Sequence, residues 1–266
     1  MSILKNGRIN QSLVYWCYEK YWDFESFIGV AKELGCTSIE LVDPKYYPLL
    51  VKNDLTCAIS WIDMGGEMPF LNGFCDPKNH DRVIAATKKS IDESHEHGFR
   101  NVISFTGMAN GIDPAVGATN CVEGFKKVVE YAERKGVTLC LEMLNSRDEV
   151  EMKGHPGYLG DHTDYCIDII KRVGSPALKL LFDFYHVQIM DGDLIRRVHQ
   201  HKDYIGHIHT AGNPGRCELD NKQEINYPPL MQALIDVGYK GHVAHEFIPT
   251  RDAMEGLREA VRLCDV

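Results

Sequence analysis

The chain has 266 residues, 44% of them apolar and 25% charged, enough for one large hydrophobic core or two small ones. Its formal net charge of −9 argues against a nucleic-acid partner, because duplex binding rests on neutralising many phosphates. No apolar run reaches the roughly 18 residues of a membrane helix, and residues 1–11 lack the apolar centre of a secretory signal, so no membrane partner is expected.

The nine cysteines are scattered, odd in number and without a C-x-x-C spacing. They read as reduced thiols, and the expected compartment is the cytoplasm.

Residues 8–15 read as a strand. Asp23 then caps a helix with Phe24, Phe27, Ile28 and Ala31 on one face, closing at Gly35. A second strand over 37–42 ends near Glu40, and Asp43-Pro44 opens a short helix to about Lys52. A third strand is expected at 55–61, followed by a long Gly-containing loop over 65–74. Asp76-Pro77 starts a helix that runs to Gly98, and 101–105 is a fourth strand. After a loop over 106–119, Val122, Phe125, Val128, Val129 and Ala132 form a helical stripe ending at Gly136.

The fifth strand, 137–142, precedes a long polar loop over 143–160. Asp161 caps a helix with Cys166, Ile169, Ile170 and Val173 inward, and the sixth strand ends at Asp183. A helix over 191–201 and a seventh strand ending at His209 follow. A loop with Gly212, Pro214 and Gly215 leads to a helix from about Tyr227 to Gly238. The eighth strand ends at Glu246, and a last helix over 252–264 buries Met254, Leu257, Val261 and Cys264.

Eight strands alternating with eight helices imply parallel strands and right-handed crossovers. The expected class is α/β, a single (β/α)8 TIM barrel occupying residues 1–266. No G-x-G-x-x-G follows the first strand, which disfavours a dinucleotide fold.

In such a barrel the chemistry sits at the C-terminal tips of the strands. Four strands end in a polar group: Glu142, Asp183, His209 and Glu246. Alternation along each strand puts Thr138, Cys140 and Glu142 on one face, Ile205, His207 and His209 on another, and His242, Ala244 and Glu246 on a third. The four tips can therefore converge. Three carboxylates and one imidazole make a hard, oxygen-rich set suited to one divalent ion, Mn²⁺ or Mg²⁺, with Co²⁺ as a further option. Such an ion would polarise a carbonyl, while Glu142 and Glu246 exchange protons with neighbouring carbons of a small α-hydroxycarbonyl substrate.

Structural readings stand beside these. Any one acid at a strand tip can cap the following helix, although four at matching depth are hard to explain that way. His207 lies one layer deeper and reads as a hydrogen-bonded core histidine; His245 faces the helices. His186, Arg216 and Glu40 are candidate substrate contacts. Arg216 could equally be a solvated loop charge, and Glu40 a cap.

Several segments together resemble hydroxypyruvate isomerases: Leu141-Glu-Met-Leu-Asn145, Gly154-His-Pro-Gly-Tyr158, Phe182-Asp-Phe-Tyr-His186, His207-Ile-His-Thr-Ala-Gly-Asn-Pro-Gly-Arg216 and Glu224-Ile-Asn-Tyr-Pro228. That family is part of the xylose isomerase-like TIM-barrel superfamily, which also holds ketose 3-epimerases and endonuclease IV. The resemblance implies Glu142 and Glu246 as acid/base pair and metal ligands, Asp183 and His209 as the other ligands, and His186 and Arg216 as substrate contacts. It also implies a homo-oligomer, dimer or tetramer, and interconversion of hydroxypyruvate and tartronate semialdehyde or of a related 2-oxo acid. His209 departs from the pattern, since many hydroxypyruvate isomerases carry Gln there and the 3-epimerases carry His. A 3-epimerase of neutral sugars is therefore the alternative, with a dehydratase or C-glycoside lyase further off. The third and fourth strand tips, Ser60-Trp61 and Ser104-Phe105-Thr106, lack the histidines of the endonuclease's zinc site.

Overall fold

The computed structural model describes residues 3–266. Seven parallel strands form one curled sheet in the order β2-β1-β7-β6-β5-β4-β3. They are β1 Asn10–Val14, β2 Ser38–Glu40, β3 Asn101–Phe105, β4 Thr138–Glu142, β5 Leu178–Asp183, β6 Ile205–Thr210 and β7 His242–His245. The first and last strands pair directly, Ser12 opposite Ala244, so the ring is shut on that side by ordinary ladder bonds.

On the other side the third expected strand, 55–61, does not form a regular strand. It touches each neighbour at one isolated bridge, Thr56 with Ser38 and Ser60 with Val102. Side chains explain the interruption. The Ser38 hydroxyl accepts from the Ala58 N–H at 2.9 Å, and the Asn101 amide donates to the Ala58 carbonyl at 2.8 Å. Ala58 thus finds its partners off the ladder and the backbone bends around it. The segment still completes the ring, because Thr56 N–H donates to Thr37 O and Ser60 N–H to Asn101 O. Seven strands and this bridging segment make the (β/α)8 barrel.

The helices lie outside: α1 Phe24–Leu34, α2 Tyr47–Lys52, α3 His80–Glu96, α4 Pro114–Lys126, α5 Val129–Lys135, α6 Thr163–Val173, α7 Phe184–Met190, α8 Leu194–His201, α9 Tyr227–Asp236 and α10 Ala253–Leu263. Asp23 caps α1 through Ser26 N–H, as expected from the sequence. Three expectations change. Asp161 does not cap α6: His162 holds the N-cap position without a side-chain bond, and Asp161 accepts the Ser146 hydroxyl instead. Asp113-Pro114 opens α4 inside what reads as a loop, with Asp113 accepting from Ala115 and Val116, and the apolar stripe is split between α4 and α5. A short helix, α7, follows Asp183 directly; its first turn is buried on every side, so it carries no polar face to announce it.

Candidate active site

The four expected tips meet. Glu142 and Asp183 are the last residues of β4 and β5, His209 is next to last in β6, and Glu246 follows β7. These strands are consecutive in the ring, and Asp183 is the register partner of His209. One ligand atom from each of the four lies within 4.8 Å of all the others, and all four residues are buried.

Two of the four carry an open oxygen and two are fully engaged. Asp183 Oδ1 accepts the Tyr185 N–H at 2.7 Å, capping α7, while its Oδ2 is buried without a hydrogen-bond partner. Glu142 Oε1 is likewise buried and unpartnered. Glu246 is the most tied: Trp16 Nε1–H donates to its Oε1 at 2.8 Å, and Oε2 lies 2.6 Å from Arg216 Nη2 and 2.8 Å from His209 Nδ1.

Burial and mutual repulsion set the charges. Burial first, and then the charge of Glu246, lift the Glu142 carboxyl to about 7; the nearby His209, its Nδ1 3.6 Å from Oε1, opposes them. Burial also raises Asp183 to about 6 against the pull of Arg216. Glu246 goes the other way: burial opposes its ionisation, but Arg216 and His209 hold it well below the usual carboxylate range. His209 is raised well above an ordinary imidazole, its burial outweighed by Glu246, Glu142 and Glu40.

Two buried orphan carboxylate oxygens, a third carboxylate and an imidazole nitrogen facing one point fit a hard divalent cation. This buried group could hold a metal ion.

The expected substrate contacts fall in different places. Arg216 reaches the site although it sits in a loop, with its backbone in the left-handed region at φ 52°. Its guanidinium lies over the rings of Trp16 and Tyr185, at 5.3 and 5.8 Å, and it donates to the Met152 carbonyl. His186 is fully buried beside Asp183, its Nε2 3.6 Å from Asp183 Oδ2. The Asn145 N–H donates to His186 Nδ1 at 3.0 Å, so the ring proton sits on Nε2 and points toward the carboxylates. Burial keeps this imidazole neutral.

Glu40 does not line the cavity. It is buried behind His209, with Oε1 2.7 Å from His207 Nε2 and 2.9 Å from His209 Nε2. Its side chain follows the pleat into the barrel, where imidazoles are the available partners. Burial opposes its ionisation, yet His207 and His209 hold it at about 2. His207 is a core residue on Glu40, and His245 is buried between Gln11 and Thr210.

Above the four residues opens a cavity of about 720 Å³ counting its mouth. Its wall combines Glu142, Glu246, Arg216 and His155 with an apolar ring that includes Trp16, Trp61, Phe70, Phe105 and Leu144. Both long loops contribute, 65–74 through Phe70 and 143–160 through Met152 and His155. Trp16, Asn145 and His155 were not singled out from sequence for roles here. Trp16 lies two residues past the end of β1, so the strand-tip rule could have found it.

The model of the family described as xylose isomerase-like TIM barrel matches residues 28–265. Hydroxypyruvate isomerase of Escherichia coli (strain K12) is 32% identical over 246 residues, covering 89% of this chain and 92% of that protein. A 2-oxo-tetronate isomerase of Cupriavidus necator is 38% identical over 136 residues, 51% of this chain and 50% of that protein. The chain spans half or less of the length of several curated relatives it matches. Among solved structures, an AP endonuclease, family 2, from Brucella melitensis superposes with a TM-score of 0.79 at 25% identity, covering 94% of this chain and 97% of that one. With its barrel topology and its converging strand tips, the chain belongs to the xylose isomerase-like TIM-barrel family, alongside the hydroxypyruvate isomerases.

Proposed function

We propose that the protein is an isomerase of short 2-oxo acids, interconverting hydroxypyruvate and tartronate semialdehyde or a close four-carbon relative. The observation that carries this reading is the placement of two glutamates, Glu142 and Glu246, in one cavity wall beside a buried arginine. The relatives' names, hydroxypyruvate isomerase and 2-oxo-tetronate isomerase, support the same class.

A divalent ion held by Glu142, Asp183, His209 and Glu246 would serve as a Lewis acid that polarises the substrate carbonyl. The remaining work falls to side chains. Arg216, in the cavity wall, binds the substrate carboxylate; its Nε is buried and unpartnered, a donor not yet used. One glutamate takes a proton from C3, leaving an enediolate, and the other delivers one to C2. The proton of the C3 hydroxyl passes to the C2 oxygen, so that a hydroxyketone becomes a hydroxyaldehyde with atoms balanced. Phe70 and Met152 on the two long loops keep water from the intermediate. A polyol would bring three or more further hydroxyls against a largely apolar wall, each unpaired one costing about 1–3 kcal/mol. This favours a short acid over the neutral sugar of a 3-epimerase. We further propose a homo-oligomer working in the cytoplasm without a nucleic-acid partner.

The test is conversion of hydroxypyruvate by the purified protein, coupled to an NADH-dependent reductase, with Mn²⁺ or Mg²⁺ and again after chelation. Turnover that disappears with chelator and returns with metal supports the reading. Turnover indifferent to chelation removes the ion from it. Turnover of neutral ketoses alone replaces it with the 3-epimerase.

A further inference from the structure

His155 belongs to the cavity wall yet has no assigned part. It stands in the 143–160 loop, 7% exposed, between the ring of Phe70 at 4.4 Å and that of His186 at 6.0 Å. Among the described residues neither of its ring nitrogens makes a hydrogen bond, although its backbone N–H is fixed to Asn145 O at 2.8 Å. Its nitrogens open to the cavity, where a ligand could satisfy them.

The loop is built to hold it there. Gly154 runs so close to the preceding turn that a Cβ would lie 2.2 Å from Asp148 O and 2.6 Å from Asn145 Oδ1. Tyr158 then fastens the segment to the strand tips, donating to Glu142 O at 2.8 Å and accepting the Thr106 N–H at 2.9 Å. The ring is thus presented to the cavity on rigid supports from β3 and β4. Burial, and then the charge of Arg216, depress its pKa to about 4, so it offers one donor and one acceptor and no charge. A carboxylate gains more from Arg216; a hydroxyl matches a neutral imidazole.

We propose that His155 is a substrate-contacting residue whose imidazole exchanges a hydrogen bond with the hydroxyl at the end of the substrate remote from Arg216. This rests on the 2-oxo-acid reading, deepens it, and assigns the residue that separates hydroxy acids from plain keto acids of the same size.

The test needs no turnover. Binding of 3-hydroxypropionate, which carries the terminal hydroxyl, and of pyruvate, which lacks it, is measured by calorimetry on the metal-loaded protein and on His155→Phe and His155→Gln variants. Expected is a ~10-fold or greater loss of 3-hydroxypropionate affinity in His155→Phe, less than ~2-fold loss for pyruvate, and partial retention of 3-hydroxypropionate binding in His155→Gln. Equal affinities for both acids in wild type and His155→Phe would overturn the contact and make His155 a spacer beneath Phe70. Equal losses on both acids would also overturn it, as a collapse of the wall. A wild-type protein that binds neither acid removes the 2-oxo-acid reading itself, and the contact with it. Thermal melts and Mn²⁺ affinity of both variants should match wild type.

Discussion

Glu40 and His209 share a hydrogen bond of 2.9 Å across 169 residues of sequence, and it falls on the side of the imidazole turned away from Glu246. The carboxylate accepts the hydrogen bond of Nε2–H and so turns Nδ1 toward the four-residue cluster. A carboxylate behind a metal-binding histidine fixes its tautomer and ring orientation.

The first prediction follows from that bond. Glu40→Gln keeps the shape but can present an amide N–H to Nε2, which favours the wrong tautomer. Mn²⁺ affinity, read by calorimetry or by the loss of free-ion EPR signal, should fall about 10–100-fold. Unchanged affinity in a folded variant would leave Glu40 as core filling only.

Proton linkage gives the second. In the metal-free protein Glu142 is raised to about 7, and His209 holds a proton between Glu246 and Glu40. A cation needs both groups deprotonated on the side facing it. Affinity should therefore rise as pH rises through about 7. Asp183, raised to about 6, adds a further fraction near that pH, so titration in buffers of different ionisation enthalpy should show roughly two to three protons released per ion near pH 6 and about one near pH 8. No proton release near pH 6 would contradict the charge assignment.

How much of this was legible in the sequence depended on distance along the chain. The tip residues Glu142, Asp183, His209 and Glu246 could be read because alternation and strand ends are local properties. The Glu40–His209 bond could not, because alternation says which face a side chain takes and not which strand it meets. The missing regularity at 55–61 was hidden for a similar reason. Its local pattern is that of a strand, and the disruption comes from the side chains of Ser38 and Asn101 elsewhere. Asp183 caps α7 through Oδ1 and leaves Oδ2 buried and unpartnered within the cluster, so the structural reading of that acid does not use up its second oxygen.

Arg216 provides the third prediction. Its guanidinium pairs with Glu246 and retains a buried, unpartnered Nε. Arg216→Ala will also release Glu246 to a higher pKa, which lowers turnover of every substrate. The ratio of effects isolates the carboxylate contact: KM should rise about 10–100-fold more for 2-oxo acids than for neutral hydroxyketones, the worth of one or two charge-assisted hydrogen bonds. Equal losses on the two classes would assign Arg216 to Glu246 alone.

Two glycines separate close approach from idle flexibility. At Gly73 the loop entering α3 runs against the end of β3, where Cys75 N–H donates to Thr106 O at 2.7 Å. A Cβ there would lie 2.3 Å from Gly107 N and 2.3 Å from the Thr106 carbonyl carbon, both backbone atoms that cannot swing aside. Gly73→Ala should therefore destabilise the fold by about 1–3 kcal/mol or more, lowering Tm by several degrees. Gly29, exposed in the middle of α1, would meet nothing within 4 Å and has an ordinary helical φ. Gly29→Ala should raise stability by about 0.5–1 kcal/mol through helix propensity and a less free unfolded chain. Thermal melts of the two variants side by side decide it. A Gly73→Ala protein as stable as wild type would mean that 73–75 and 105–107 do not run this close, and with that the seat of Phe70 over His155 would have to be redrawn.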